Sequence, residues 1–241
     1  MKIACIIEAR MNSSRLPGKI LKEIAGKPML VHLIERLKQV NNSQEVIVAT
    51  TSSKKDDITE QIVSKEGVFC YRGDEDNVTQ RVIEAAEERD VDVIVQVTGD
   101  NPMIDPEIVE QVINMYIYNK FDYVSNDLER SYPIGMNTRV FSTKTLIKAF
   151  NILHTEYEKE HTTMSILKNK DMFTFCNLYA PKSLCWPNMH LTVDEENDFL
   201  LAKAIFEALY NKKYFSLLDI IDFLKDNPDL SELNKQVQRR F

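Results

Sequence analysis

Three cations, Arg10, Arg15 and Lys19, fall within ten residues of one polar stretch, Glu8-Ala9-Arg10-Met11-Asn12-Ser13-Ser14-Arg15-Leu16-Pro17-Gly18-Lys19. Asn12, Ser13, Ser14 and Gly18 are small or turn-prone, so backbone N–H groups here can approach a ligand closely. Cations and exposed N–H groups at the carboxyl end of a strand form an anion cradle. The number of charges suits a polyphosphate better than a single carboxylate. Taken alone, the stretch could be a solvated basic loop. Its position favours the cradle, because the preceding Ile3-Ala4-Cys5-Ile6-Ile7 is apolar without alternation, as in a strand buried on both faces.

Two carboxylates are candidate metal ligands. Asp100 follows an apolar run and Gly99, so it would project from a rigid strand end into a cleft; the competing reading is a turn residue before Asn101-Pro102. Asp194 ends the short run Leu191-Thr192-Val193 and precedes a helical pattern. It could instead cap that helix, as could Asp198. Two acids far apart in sequence, each ending a strand, suit a magnesium ion (Mg2+) that fills its shell with nucleotide phosphates and water. Asp74–Asp76, in Arg72-Gly73-Asp74-Glu75-Asp76-Asn77, reads as a solvated acidic turn. A lone His161 in Glu160-His161-Thr162 is as compatible with a structural role as with a functional one.

The elements that must position these residues alternate over the first 120. Pro28 opens a helix with Leu30, Leu33, Ile34 and Leu37 on one stripe. Val46–Ala49 is a second buried strand, 56–65 a helix, Val68–Tyr71 a short strand, and Val78 to Glu88 a helix. Val91 to Val97 makes a further strand, and Pro106 starts a helix to about Tyr118. This alternation predicts an α/β fold with a mainly parallel sheet and helices on both faces, with ligands beyond the carboxyl ends of the strands. The second half reads differently. Strands are expected at Phe121–Val124, Thr138–Phe141, Met172–Leu178 and His190–Val193. Helices are expected at Thr143–Phe150, His161–Leu167, around Leu201–Ala208 and at Leu217–Leu224. With no repeat or Gly/Ser linker, residues 1–241 read as one domain. Its 1–120 half would bind nucleotide and its 121–241 half the acceptor. The charged end, Gln238-Arg239-Arg240-Phe241, is expected to fray.

The 241 residues, 44% hydrophobic and 28% charged, suit one soluble α/β domain. A net charge of −7 disfavours nonspecific nucleic-acid binding, while leaving room for a local basic pocket. Cys5, Cys70, Cys176 and Cys185 have no C-x-x-C spacing, which argues against zinc or a disulfide framework and fits a reducing cytoplasm. No signal-peptide pattern or membrane-spanning run is visible.

The order Ala9-Arg10 … Ser14-Arg15-Leu16-Pro17-Gly18-Lys19 resembles the nucleotide-binding loop of the bacterial CMP-sugar synthetases (cytidylyltransferases), most nearly the spore-coat polysaccharide SpsF type, then the CMP-Kdo synthetases. The likeness covers about residues 1–210 and extends to Val97-Thr98-Gly99-Asp100-Asn101-Pro102-Met103-Ile104, which resembles the metal-binding strand end. It implies a nucleotide-diphospho-sugar transferase (Rossmann-like) fold with a small acceptor-binding and dimerisation elaboration, and a homodimer. It also implies CMP transfer from CTP to an acidic sugar, an eight- or nine-carbon ulosonic acid, with release of pyrophosphate for surface or spore-coat glycans. Carried over by position, Ala9, Arg10, Ser14, Arg15, Lys19, Arg72, Thr79 and Thr98 would bind the nucleotide. Lys19, Arg15 and Asp100 would be catalytic, Asp100 and Asp194 would hold Mg2+, and Asn137, Arg139, Glu160 and His161 would face the acceptor. Five positions depart from the pattern. Glu8 stands where Gln or Pro is usual, and Asn137 and Arg139 stand where acids are usual, which would suit a more negative acceptor. Val193-Asp194-Glu195-Glu196 keeps the Asp of the family's V-D-T-P run and loses Thr-Pro. Rival readings are a cytidylyltransferase for a phosphorylated small molecule, a glycosyltransferase of similar (GT-A-like) fold, and a non-catalytic nucleotide-binding regulator.

Overall fold

Isoleucine and valine without alternation produce the centre of the sheet. In the computed structural model, which describes residues 1–152, 155–211 and 214–237, strand β1 (Ile3–Glu8) lies between β4 (Glu45–Thr51) and β6 (Val93–Thr98), parallel to both. The seven strands run in the order β5-β4-β1-β6-β8-β7-β9, with β5 at Phe69–Gly73, β7 at Tyr123–Ser125, β8 at Arg139–Ser142 and β9 at Phe175–Asn177. Only β8 runs against its neighbours, β6 and β7. Sheet pleating sends alternate residues to opposite faces. Ile3, Cys5 and Ile7 therefore pack under α1 (Met29–Leu37) and α4 (Pro106–Ile117), whereas Ala4 and Ile6 pack under α3 (Val78–Glu88) and α5 (Thr143–Phe150).

A third apolar cluster lies off the sheet. It joins α8 (Glu196–Leu209) and α9 (Leu217–Asp226) to Leu16, Ile24, Met29, Met103 and Met189–Val193. Part of its base is a two-stranded hairpin, β2 (Glu23–Ile24) with β3 (Lys27–Pro28). Ala25 at φ 48° and Gly26 at φ 79° make that turn.

The second half departs from expectation in three places. His190–Val193 is no strand: Leu191 N–H donates to Ile134 and Val193 N–H to Asp100, so two different partners hold it and no ladder extends. Met172–Leu178 shortens to β9. The helix expected at His161–Leu167 begins only at Met164, as α7 (Met164–Lys168), and an unexpected short helix, α6 (Glu156–Glu160), precedes it, with the chain leaving helical geometry at His161, φ −112°, ψ 91°. Gly135 at φ 110° is required, because a Cβ there would lie 2.8 Å from the Leu191 and Thr192 backbone. The end Gln238-Arg239-Arg240-Phe241 lies outside the described residues. Among those described, no helix is long and apolar enough to cross a membrane.

Candidate active site

The carboxyl ends of β1, β4, β6 and β7 and the start of β8 reach one edge of the sheet. The basic loop leaves β1 there and is pinned at its base. Met11 N–H donates to the buried Asp56 carboxylate at 2.8 Å, and Gly18 N–H closes on Met11 O at 3.1 Å. Gly18 sits at φ 67° and launches a short 3-10 turn, Lys19–Leu21, which aims Lys19 inward.

Lys19 is the point of convergence. Its ammonium donates to Asp100 Oδ2 at 2.9 Å, Asp194 Oδ1 at 3.0 Å and the Val193 carbonyl at 2.8 Å. The acid-bearing segments are joined by backbone, Val193 N–H to Asp100 O at 2.9 Å. Asp100 is further fixed by the Thr98 hydroxyl at 2.6 Å, itself bonded by Asn101 at 3.0 Å. Gly99 allows this approach, since a Cβ would lie 3.0 Å from the Ala9 Cβ and 3.1 Å from Glu8 O. Burial pushes the Asp100 carboxyl up, but the Lys19 ammonium and the Thr98 hydroxyl outweigh it and hold it below the usual carboxylate range. Burial opposes the charge on Lys19 as well; the two carboxylates prevail and raise its pKa. The capping position considered for Asp194 falls to Glu195, with Asp198 one turn on accepting from Asp194 N–H at 3.0 Å and Glu195 N–H at 2.9 Å. Asp194 meets Arg15 instead, at 2.7 Å, while a second guanidinium nitrogen of Arg15 is buried without a hydrogen bond.

These oxygens fit a hard divalent cation. Two carboxylates and one carbonyl surround the Lys19 ammonium, with the Arg15 guanidinium also on Asp194, and among the described residues no cluster of three or more His, Cys, Asp or Glu forms a cage. Magnesium usually takes one or two carboxylates and completes its shell with water and phosphate oxygens.

Beside this cluster opens a cleft of about 670 Å³ lined by Glu8, Gln96, Asp127, Arg130, Asn137, Arg139, Glu160, His161 and Lys170 among others. A row of polar side chains crosses its floor. Glu8 accepts from Gln96 and Thr162, each at 2.6 Å, and Gln96 accepts from Arg139 at 3.4 Å. Arg139 donates twice to Asp127 Oδ2, at 3.0 and 2.7 Å, and Asn137 donates to the same oxygen at 3.2 Å. Burial opposes the Arg139 charge, but Asp127 outweighs it and, with Glu8, drives its pKa upward.

The expected site residues therefore separate. Arg15, Lys19, Thr98, Asp100 and Asp194 come together. Ala9 is buried against Gly99, and Ser14 is exposed on the loop. Arg10 pairs with Glu160 at 3.1 Å, and His161 packs at a tilt against Tyr157, with 4.3 Å between ring centres. Two residues lie apart. Arg72 is committed to Asp57 and Glu60 and to the Thr51 and Ser53 carbonyls. Thr79 is fully buried, with its hydroxyl on the Glu158 and Lys159 carbonyls. Asp56, Gln96, Asp127 and Thr162 were not anticipated. Asp127 had a legible signal, a carboxylate just past a strand, the one used for Asp100.

A family model described as "Cytidylyltransferase" matches residues 4–231. The chain belongs to the cytidylyltransferase family. Within it, this member is similar to the spore coat polysaccharide biosynthesis protein SpsF of Bacillus subtilis, 31% identical over 94% of this chain and 95% of that protein. A 3-deoxy-manno-octulosonate cytidylyltransferase of Trichlorobacter lovleyi is 38% identical over 49% of this chain and 46% of its own. The solved structure of a cytidylyltransferase from Leptospira borgpetersenii superposes with a TM-score of 0.91 at 32% identity, covering 100% of this chain and 99% of that one. The resemblance and the fold expected from sequence hold in this family member, whose sheet is mainly parallel and flanked by helices.

Proposed function

We propose that this chain transfers CMP from CTP to an acidic sugar, an ulosonic acid, for surface-glycan biosynthesis, and that it does so with magnesium. The observation that carries the reading is the convergence of Asp100, Asp194 and the Val193 carbonyl on one cation beside the basic loop. The name of the 3-deoxy-manno-octulosonate cytidylyltransferase relative supports the nucleotide and the acceptor class, and that of the SpsF relative supports a role in polysaccharide biosynthesis.

Arg10, Arg15 and Lys19 bind the triphosphate and neutralise charge on the departing pyrophosphate. The acceptor oxygen bonds to the α-phosphorus in line as the bond to the bridging oxygen breaks, and the acceptor proton leaves to solvent. Asp100 and Asp194 hold the divalent cation, which supplies further charge neutralisation on the phosphates. Little covalent chemistry is required of side chains; positioning and preorganised charge lower the barrier. Thr98 and Asn101 keep Asp100 in place, and the Glu8-to-Asp127 row shapes the acceptor end of the cleft. We also propose a cytoplasmic homodimer, on the family resemblance.

Pyrophosphate release tests the reading, with CTP, ATP, GTP and UTP each offered against 3-deoxy-manno-octulosonate, N-acetylneuraminate and phosphorylated sugars, with and without Mg2+. CTP-specific release with an ulosonic acid is expected. Release only with a phosphorylated acceptor would move the protein to the rival substrate class. No release from bound CTP with any acceptor would overturn the reading.

A further inference from the structure

The cation at the centre of the site belongs to the protein. Lys19 donates to Asp100, Asp194 and the Val193 carbonyl at once, at 2.8–3.0 Å. Magnesium takes such oxygens at about 2.0–2.1 Å. Ammonium and metal compete for the same lone pairs and repel each other at that separation, so they cannot share the site. Lys19 has an alternative position, because its flexible four-carbon stem can move while the 3-10 turn that carries it stays in place. Arg15, on Asp194 at 2.7 Å and with a second nitrogen that makes no hydrogen bond and lies 3.9 Å from the Glu195 carboxylate, has donor capacity to follow it.

We propose that Lys19 is the internal counter-ion of the divalent-cation site and is exchanged for the metal when a nucleoside triphosphate draws the ammonium onto its phosphates. This rests on the assignment of Asp100 and Asp194 as the metal pair. Before nucleotide arrives, Lys19 holds the acids together at the cost of metal affinity. The triphosphate then frees the acids and takes the lysine in one event. By linkage, metal and nucleotide each tighten the other's binding. Removing the lysine charge has opposite effects on the two ligands: the nucleotide is held less tightly and the metal more tightly. A lysine serving only the phosphates would lower one and leave the other unchanged.

The test titrates Mn2+ into the full-length protein and follows the free-ion electron paramagnetic resonance signal, first without nucleotide and then with α,β-methylene CTP. Without nucleotide, Lys19→Met should bind Mn2+ about tenfold tighter than the parent, within the usual span of coupling between sites. Lys19→Arg, which keeps the charge, should show no such gain. Asp100→Asn placed in the Lys19→Met background should abolish the gain, assigning it to this site. Lys19→Gln provides a second neutral variant, and unfolding midpoints measured alongside check that each protein is folded. Equal or weaker Mn2+ binding by the neutral variants, an equal gain in Lys19→Arg, or no Mn2+ binding by any form would overturn the proposal. Failure of the CTP analogue to bind would count against the cytidylyltransferase reading alone, because the deciding comparison contains no nucleotide.

Discussion

At the scale of single residues, Arg139 changes meaning once its partners are visible. As a sequence departure it suggests a pocket for a more negative acceptor. In the fold it lines the cleft, but its fork is spent on Asp127, and Glu8 adds negative charge beyond Gln96. Arg139→Glu would therefore set a second carboxylate against Asp127 in a half-buried site. It should cost about 1.5–3 kcal/mol in urea unfolding, the range for losing hydrogen bonds to a charged group. The double variant Arg139→Gln/Asp127→Asn should recover most of that loss. A stable Arg139→Glu protein with only a raised acceptor KM would restore the simpler view. Asp100 makes a second residue-scale prediction. Its carboxyl is held below the usual range, so the stability it contributes is complete above the ordinary value of about 3.9 and is lost as pH falls through the lower folded value. The stability difference between the parent and Asp100→Asn should shrink as pH drops from about 6 to about 3; a difference constant with pH would count against the pairing. Arg15, Lys19, Asp100 and Asp194 were legible because charged residues following apolar runs are conspicuous. The commitments of Arg72, Thr79 and Arg139 were not, because their partners lie between 12 and 80 residues away.

At the scale of elements, the first half was readable and the second was not, for a physical reason. Strands β1, β4 and β6 are buried on both faces and read as unbroken apolar runs, and α1, α3 and α4 carry apolar stripes between clear end signals. The elements around the cleft are short. Helices α6 and α7 have five residues each, and β7 and β9 have three. Periodicity cannot speak over such lengths, so tertiary bonds define them. Thr79 is one of those bonds, joining α3 to the end of α6 through two carbonyls, at 3.0 and 3.1 Å. Thr79→Val keeps the shape and deletes the donor. It should cost about 1–3 kcal/mol and speed amide exchange in residues 156–163, with CTP binding nearly unchanged. A selective loss of CTP affinity with α6 protection intact would instead place Thr79 at the nucleotide.

At the scale of the whole molecule, a division of labour near residue 120 does not correspond to two separable bodies. The sheet interleaves them: β8 of the second half lies directly against β6 of the first, with β7 and β9 beyond it. The third apolar cluster mixes Leu16, Ile24, Met29, Met103 and Ile108 with α8 and α9. The two acids also come from opposite halves and meet through the backbone bond from Val193 to Asp100. A fragment of residues 1–120 would retain the basic loop and Asp100, but it would open the β6 edge and expose one side of that cluster. Unpaired edges and uncovered apolar faces favour aggregation over folding. The fragment should therefore show no cooperative urea transition and no binding of α,β-methylene CTP, whereas the full chain should unfold in a single transition. A fragment that folds and binds the analogue would mean that the basic loop and β-α units suffice. In that case Asp194 and the helices around it would act on the acceptor or the metal alone.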